Sequence, residues 1–140
     1  MRLLIVNGPN LNLIGQREEE IYGKQSFDAY FETLKSQKTC DLEYFQSNIE
    51  GELINVLQLS SHDGIILNAG GYTHTSVALH DCIKAIKIPV VEVHISNIAA
   101  RESFRHTSLI SPVAEGCIFG FGLVSYDLAV DFFLKSLNKR

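Results

Sequence analysis

Short apolar runs of strand length alternate along the chain with longer stretches in which apolar residues recur every three or four positions. Leu3 to Val6 is a continuous apolar run closed by Asn7-Gly8-Pro9 and predicts a first strand. From Ser26, a candidate N-cap, Phe27, Tyr30, Phe31 and Leu34 fall at helical spacing. Leu42 to Phe45 predicts a second strand, and Glu50 to Leu59 a helix with Leu53, Ile54 and Leu57 facing inward. Gly64 to Leu67 predicts a third strand, stopped by Asn68-Ala69-Gly70-Gly71, and Val77 to Ile86 a helix capped by Thr75 or Ser76. Pro89 to Val93 follows as strand four, with Pro89 at its entrance, where a missing N–H does least harm. Gly116 to Phe121 predicts strand five, and Leu123 to Leu137 a closing helix.

Strands that are apolar throughout and separated by helices predict a parallel sheet covered on both faces. The expected class is therefore α/β, with residues 1–140 forming one domain. About five strands in so short a chain favour a doubly wound, flavodoxin-like sheet of order 2-1-3-4-5 in three αβα layers. In such sheets ligands bind outside the carboxyl ends of the strands. Three connections leave those ends here: NGPNLNLIGQREEEIYG after strand one, NAGGYTHTS after strand three and EVHISNIAARESFRH after strand four.

Composition narrows the class. With 46% hydrophobic and 20% charged residues over 140 positions, the chain matches an ordinary folded domain rather than a disordered one. No apolar run approaches the roughly 18 residues of a membrane span, so no membrane role is expected. MRLLIV is too short for a secretion signal and reads as a strand. Twelve Lys and Arg against 16 Asp and Glu give a net charge of −4, which offers no footprint for nucleic acid. Cys40, Cys82 and Cys117 have unrelated spacings, which suits reduced thiols in a cytoplasm, with Cys82 and Cys117 packed as small hydrophobes. No His or carboxylate spacing signals a metal; His62 is expected at the surface, His80 on a helix, and His106 behind the arginine-rich turn.

The three connections carry the chemistry. After strand three, Gly70-Gly71 runs into Tyr72-Thr73-His74-Thr75-Ser76; a helix N-terminus there would suit an anion, with Asn68 and His74 as added donors. After strand four, Glu92, His94 and Ser96 alternate, so in an extended chain they project to one side. The carboxylate then orients the imidazole and keeps it available as a general acid. Arg101 and Arg105, spaced for one helical turn, would present two cations in one direction. After strand one, a long segment between Gly15 and Gly23 suits a lid over residues 15–23 and contains Arg17 and Tyr22. A guanidinium beside a phenol favours the phenolate, although the segment alone fits a plain acidic loop equally well.

Four blocks in register, NGPNLNLIGQR with the following IYG, EYFQSNIEGELIN, NAGGYTHTSVALHD and EVHISNIAARESFRH, strongly resemble the type II 3-dehydroquinate dehydratases. The resemblance runs from residue 3 to about residue 126 and is loose beyond Leu123. It implies a flavodoxin-like fold and a cofactor-free, metal-free dehydration of 3-dehydroquinate to 3-dehydroshikimate. By motif position Tyr22 is the implied proton acceptor, His94 the proton donor and Arg17 the group that lowers the tyrosine's proton affinity. Asn10 would steady the enolate through a water and Glu92 would orient His94. Asn68, His74, Ile95, Ser96 and Arg105 would contact the substrate, and Asp81 would reach the site of a neighbouring subunit in a dodecamer built as four trimers. Gly71 stands where the family often has alanine and Ile98 where it often has proline; neither carries a chemical role.

Two other readings fit parts of the pattern. A flavodoxin-like module for a nucleotide or flavin would use THTS as its phosphate site. A catalytically inactive assembly protein would be favoured by loss of Tyr22, Arg17 or His94, and all three are present.

Overall fold

The computed structural model describes residues 1–16 and 25–139. Among them five parallel strands form one sheet: β1 (Arg2–Asn7), β2 (Asp41–Gln46), β3 (Gly64–Asn68), β4 (Val90–His94) and β5 (Gly116–Phe119), in the order β2-β1-β3-β4-β5. Among the described residues four α-helices accompany them: α1 (Phe27–Gln37), α2 (Glu50–Leu59), α3 (Val77–Ala85) and α4 (Val124–Leu137). The expected order and layering are those observed.

The continuous apolar strands follow from burial on both faces. Along β1, Leu3 and Ile5 enter a cluster with Phe27, Phe31 and Leu34 of α1 and Ala129, Val130 and Phe133 of α4. Leu4 and Val6 enter the other cluster, with Leu53 and Leu57 of α2 and Leu79 and Ile83 of α3. Alternation is present in space and invisible in the sequence, because both sides of the pleat are covered.

Caps and close approaches fix the ends of these elements. Ser26 accepts from the Ala29 amide at 3.2 Å to start α1. Ser76, rather than Thr75, caps α3, accepting from the Leu79 amide at 2.9 Å. At the carboxyl edge of the sheet, Gly8 passes so near the β3 connection that a Cβ would lie 2.5 Å from the Ala69 carbonyl oxygen. Only glycine admits that approach, and the Gly8 amide donates to the Asn68 carbonyl at 2.8 Å.

Strand five is shorter than its apolar run suggested. It stops at Phe119 rather than Phe121, because Gly120 and Gly122 take left-handed φ values of 99° and 63° and turn the chain out of the ladder. His62 is also placed differently. Its side chain is 8% exposed, with Nδ1 2.8 Å from the Ser60 hydroxyl and Nε2 3.1 Å from Glu43, so it is paired in the fold rather than a surface residue.

Candidate active site

The carboxyl ends of β1, β3 and β4 converge on a cavity of about 160 Å³. Of the residues expected to act there, Asn10, Asn68, His74, His94, Ile95, Ser96 and Arg105 line it. Glu92 lies directly beneath, paired with His94. Arg17 and Tyr22, with the rest of the expected lid from residue 17 to 23, lie outside the described residues. Asp81 sits exposed on α3 and does not line this cavity.

The strand-four motif behaves as its alternation predicted. Glu92 is fully buried, and its carboxylate meets His94 Nε2 in a short hydrogen bond. The carboxylate also accepts from the Ser108 hydroxyl at 3.0 and 2.9 Å and from the Ser111 hydroxyl. Burial alone would raise the Glu92 pKa; the hydrogen bond and charge of His94, with the two serine hydroxyls, outweigh it and hold the group below the ordinary 4.5. Ser108 and Ser111 escaped the sequence reading, since hydroxyls 16 and 19 positions away leave no local signal.

That shift has a sign in stability. A carboxyl depressed in the fold stabilises it fully above its unfolded value, and the contribution disappears as pH falls through the folded value. Acid titration of unfolding free energy should therefore show a loss beginning below about pH 4.5 that Glu92→Gln reduces. An acid limb identical in the two proteins would show that Glu92 is not ionised in the fold.

His74 and His94 lie with ring centroids 6.4 Å apart and planes 20° apart. His74 Nδ1 is 2.8 Å from the Thr107 carbonyl oxygen. A carbonyl only accepts, so Nδ1 carries the hydrogen and Nε2 is the nitrogen left for a ligand. Asn68 is 3% exposed and held at both ends of its amide. Its oxygen accepts from the Gly70 amide at 3.1 Å and its nitrogen donates to the Tyr126 hydroxyl at 2.9 Å. That hydroxyl donates in turn to Asn7 Oδ1 at 2.7 Å. Tyr126 and Asn7 were not singled out in the sequence, where they read as core of α4 and the end of β1. Tyr126→Phe strands two buried polar atoms and should cost about 1–3 kcal/mol in urea unfolding; an unchanged midpoint would mean the network carries no stability.

Two expectations need correction. Arg101 and Arg105 do not share a helical turn. Arg101 follows the 3-10 turn Ile98–Ala100 and Arg105 is the last residue of another, Ser103–Arg105, because Arg101 and Glu102 are extended. Both still line the cavity, with Arg101 3.4 Å from the Ser96 hydroxyl and Arg105 bonded to Glu102 at 2.7 Å. His106, as anticipated, sits behind them, its Nε2 3.0 Å from the Arg101 carbonyl. The anion seat assigned to a helix start also changes. Gly70–His74 is a 3-10 turn, the Gly70 amide is spent on Asn68, and the first turn of α3 does not line the cavity.

Side-chain ligand atoms of Glu92, His94 and Cys117 all lie within 4.8 Å of one another, a grouping that spacings of 2 and 23 residues do not announce. Cys40, Cys82 and Cys117 are free thiols. Burial, then the neighbouring Glu92 charge, pushes the Cys117 thiol up to about 12.

Comparison with known proteins places this geometry. The family model described as "Dehydroquinase class II" matches residues 1–134. A 3-dehydroquinate dehydratase from Fusobacterium nucleatum is 50% identical over 147 aligned positions, covering 99% of this chain and all of that protein. One from Prochlorococcus marinus is 50% identical over 144, covering 99% of each. The crystal structure of type II dehydroquinase from Butyrivibrio crossotus superposes with a TM-score of 0.91 at 40% identity, over 96% of this chain and 97% of that one. A 3-dehydroquinate dehydratase-like protein from Bifidobacterium longum superposes less closely, at 0.70 and 26% identity over 99% and 98%. With the matched model spanning all but the last six residues, the chain belongs to the class II dehydroquinases.

Proposed function

We propose that this protein removes water from 3-dehydroquinate to give 3-dehydroshikimate, in a trans sense through an enolate, in the shikimate route to aromatic compounds. The observation that carries the reading is His94 at the cavity wall, backed by a buried carboxylate that the hydroxyls of Ser108 and Ser111 also hold, and that these three groups together keep charged. His94 is then the group that protonates the departing hydroxyl, and Glu92 its positioning partner.

The proton α to the ketone needs a base. Burial holds Tyr30, Tyr44 and Tyr126 as phenols, Tyr44 near 12, and the Tyr72 hydroxyl is spent on the Asn48 carbonyl at 2.8 Å. Tyr22, with Arg17 favouring its phenolate, takes that role, and Asn10 steadies the enolate through a water. Asn68, His74, Ile95, Ser96 and Arg105 hold the substrate; the arginine cations, rather than a helix start, face its carboxylate. The residues supply a base, an acid and enolate-stabilising donors themselves, so the proposed reaction uses no cofactor.

Purified protein treated with a chelator should convert 3-dehydroquinate to the conjugated enone, read as rising ultraviolet absorbance. A flat trace would reject the activity. A nucleotide- or flavin-binding module is disfavoured by a Gly70 amide already engaged and an α3 start outside the cavity.

The assembly reading is a homododecamer of four trimers in the cytoplasm, in which exposed Asp81 enters a neighbouring subunit's site. Asp81→Ala should raise KM severalfold with the particle intact by sedimentation. A fully active monomer, or an unchanged KM, would refute it.

A further inference from the structure

We propose that Glu92, His94 and Cys117 form a site for a thiophilic divalent cation of the zinc class, and that an ion seated there stops turnover by withdrawing His94 from proton transfer. The second half rests on the reading of His94 as proton donor; the first does not.

The donor set comes first. An imidazole, a carboxylate and a thiol lie within 4.8 Å of one another, on adjacent strands β4 and β5, where Glu92 pairs with Cys117 in register. Around a tetrahedral ion with bonds of about 2.0 to 2.3 Å, such atoms stand about 3.3 to 3.8 Å apart, so closure needs about 1 Å of movement. Cys117, half-buried on the edge strand and lining a second cavity, makes that approach, while the short Glu92–His94 hydrogen bond opens to admit the ion. Sulfur and imidazole nitrogen select zinc, cobalt or copper over magnesium or calcium. Ser108 and Ser111 already hold the carboxylate by its oxygens, the outer support that ligating carboxylates need.

Access is separate from the substrate. Cys117, Ser108 and Ser111 line a second cavity of about 280 Å³, which among the described residues shares only Ile98 with the first. An ion enters from that side and keeps water as its fourth ligand. On binding, the thiol releases its proton to solvent and the imidazole ligates in its neutral form. Two anionic ligands then balance the dication, which leaves the buried site neutral. The Nε2 that now meets Glu92 meets the metal instead; the neutral ring keeps a hydrogen on Nδ1, but releasing it would leave an imidazolate, so the ring is too weak an acid to protonate a leaving group.

Cobalt(II) is the probe, because a thiolate ligand gives it a charge-transfer band in the near ultraviolet. Titration of the intact protein should develop that band at one ion per chain. Zinc(II) at saturation should lower kcat about 10²-fold, unrelieved by excess 3-dehydroquinate and reversed by a chelator. Cys117→Ala, or Cys117→Val if alanine unfolds the strand, should turn over normally without metal and lose both band and inhibition. Absence of the band, or zinc inhibition that persists without Cys117, overturns the site. A band at one ion per chain with undiminished turnover keeps the site and refutes the role of His94.

Discussion

His94→Asn should lower kcat by about 10² to 10⁴-fold with little change in KM. Hydroxide is a poor leaving group, and the proton that makes it water must arrive as the carbon–oxygen bond breaks. Asparagine fills similar space and can still bond to Glu92, but it has no proton to give. The interaction lost exists mainly in the transition state, so the deficit belongs in kcat. Circular dichroism and an unchanged unfolding midpoint separate this from misfolding. Turnover within about tenfold of wild type, well under what general acid catalysis supplies, would mean that another group protonates the leaving hydroxyl.

Tyr22→Phe should be at least as damaging, about 10³-fold or more in kcat. A phenol of ordinary pKa near 10 is only about one part in a thousand ionised at pH 7, so the proposed base needs a cation such as the Arg17 guanidinium beside it. The base must be deprotonated, so kcat/KM rises with pH through its pKa. Removing the cation raises that pKa, and Arg17→Met should move the rising limb to higher pH. A limb that stays in place would free Arg17 of this duty, and full activity in Tyr22→Phe would free the tyrosine.

Much of the architecture was legible because the connections punctuate the chain so clearly. Asn7-Gly8-Pro9 and Asn68-Ala69-Gly70-Gly71 end β1 and β3 where the site begins. The Glu92–His94 pair was readable from alternation alone, since strand geometry fixes which side chains are neighbours. What stayed hidden depends on distance in sequence. Ser108 and Ser111 reach Glu92 from the long connection between β4 and β5, which holds only short 3-10 turns, and the Tyr126–Asn7 bond spans 119 positions. The single helical turn expected for Arg101 and Arg105 failed for a local reason. Their i, i+4 spacing suits a helix, but the extended backbone at Arg101 and Glu102 divides the segment into two 3-10 turns. The sequence overextends strand five because Phe119 and Phe121 continue the apolar run, whereas backbone conformation at Gly120 ends the ladder.

One labelling experiment reaches the heart of the chemistry, a proton taken from one face of the ring and another delivered on the opposite face. 3-Dehydroquinate bearing deuterium at one defined hydrogen of the methylene beside the ketone is turned over, and the label remaining in the product is measured by mass spectrometry. Tyr22 and His94 acting from opposite faces predict loss of the hydrogen anti to the departing hydroxyl and retention of its syn neighbour. Loss of the syn hydrogen, or a substrate–protein adduct trapped by borohydride, would contradict it.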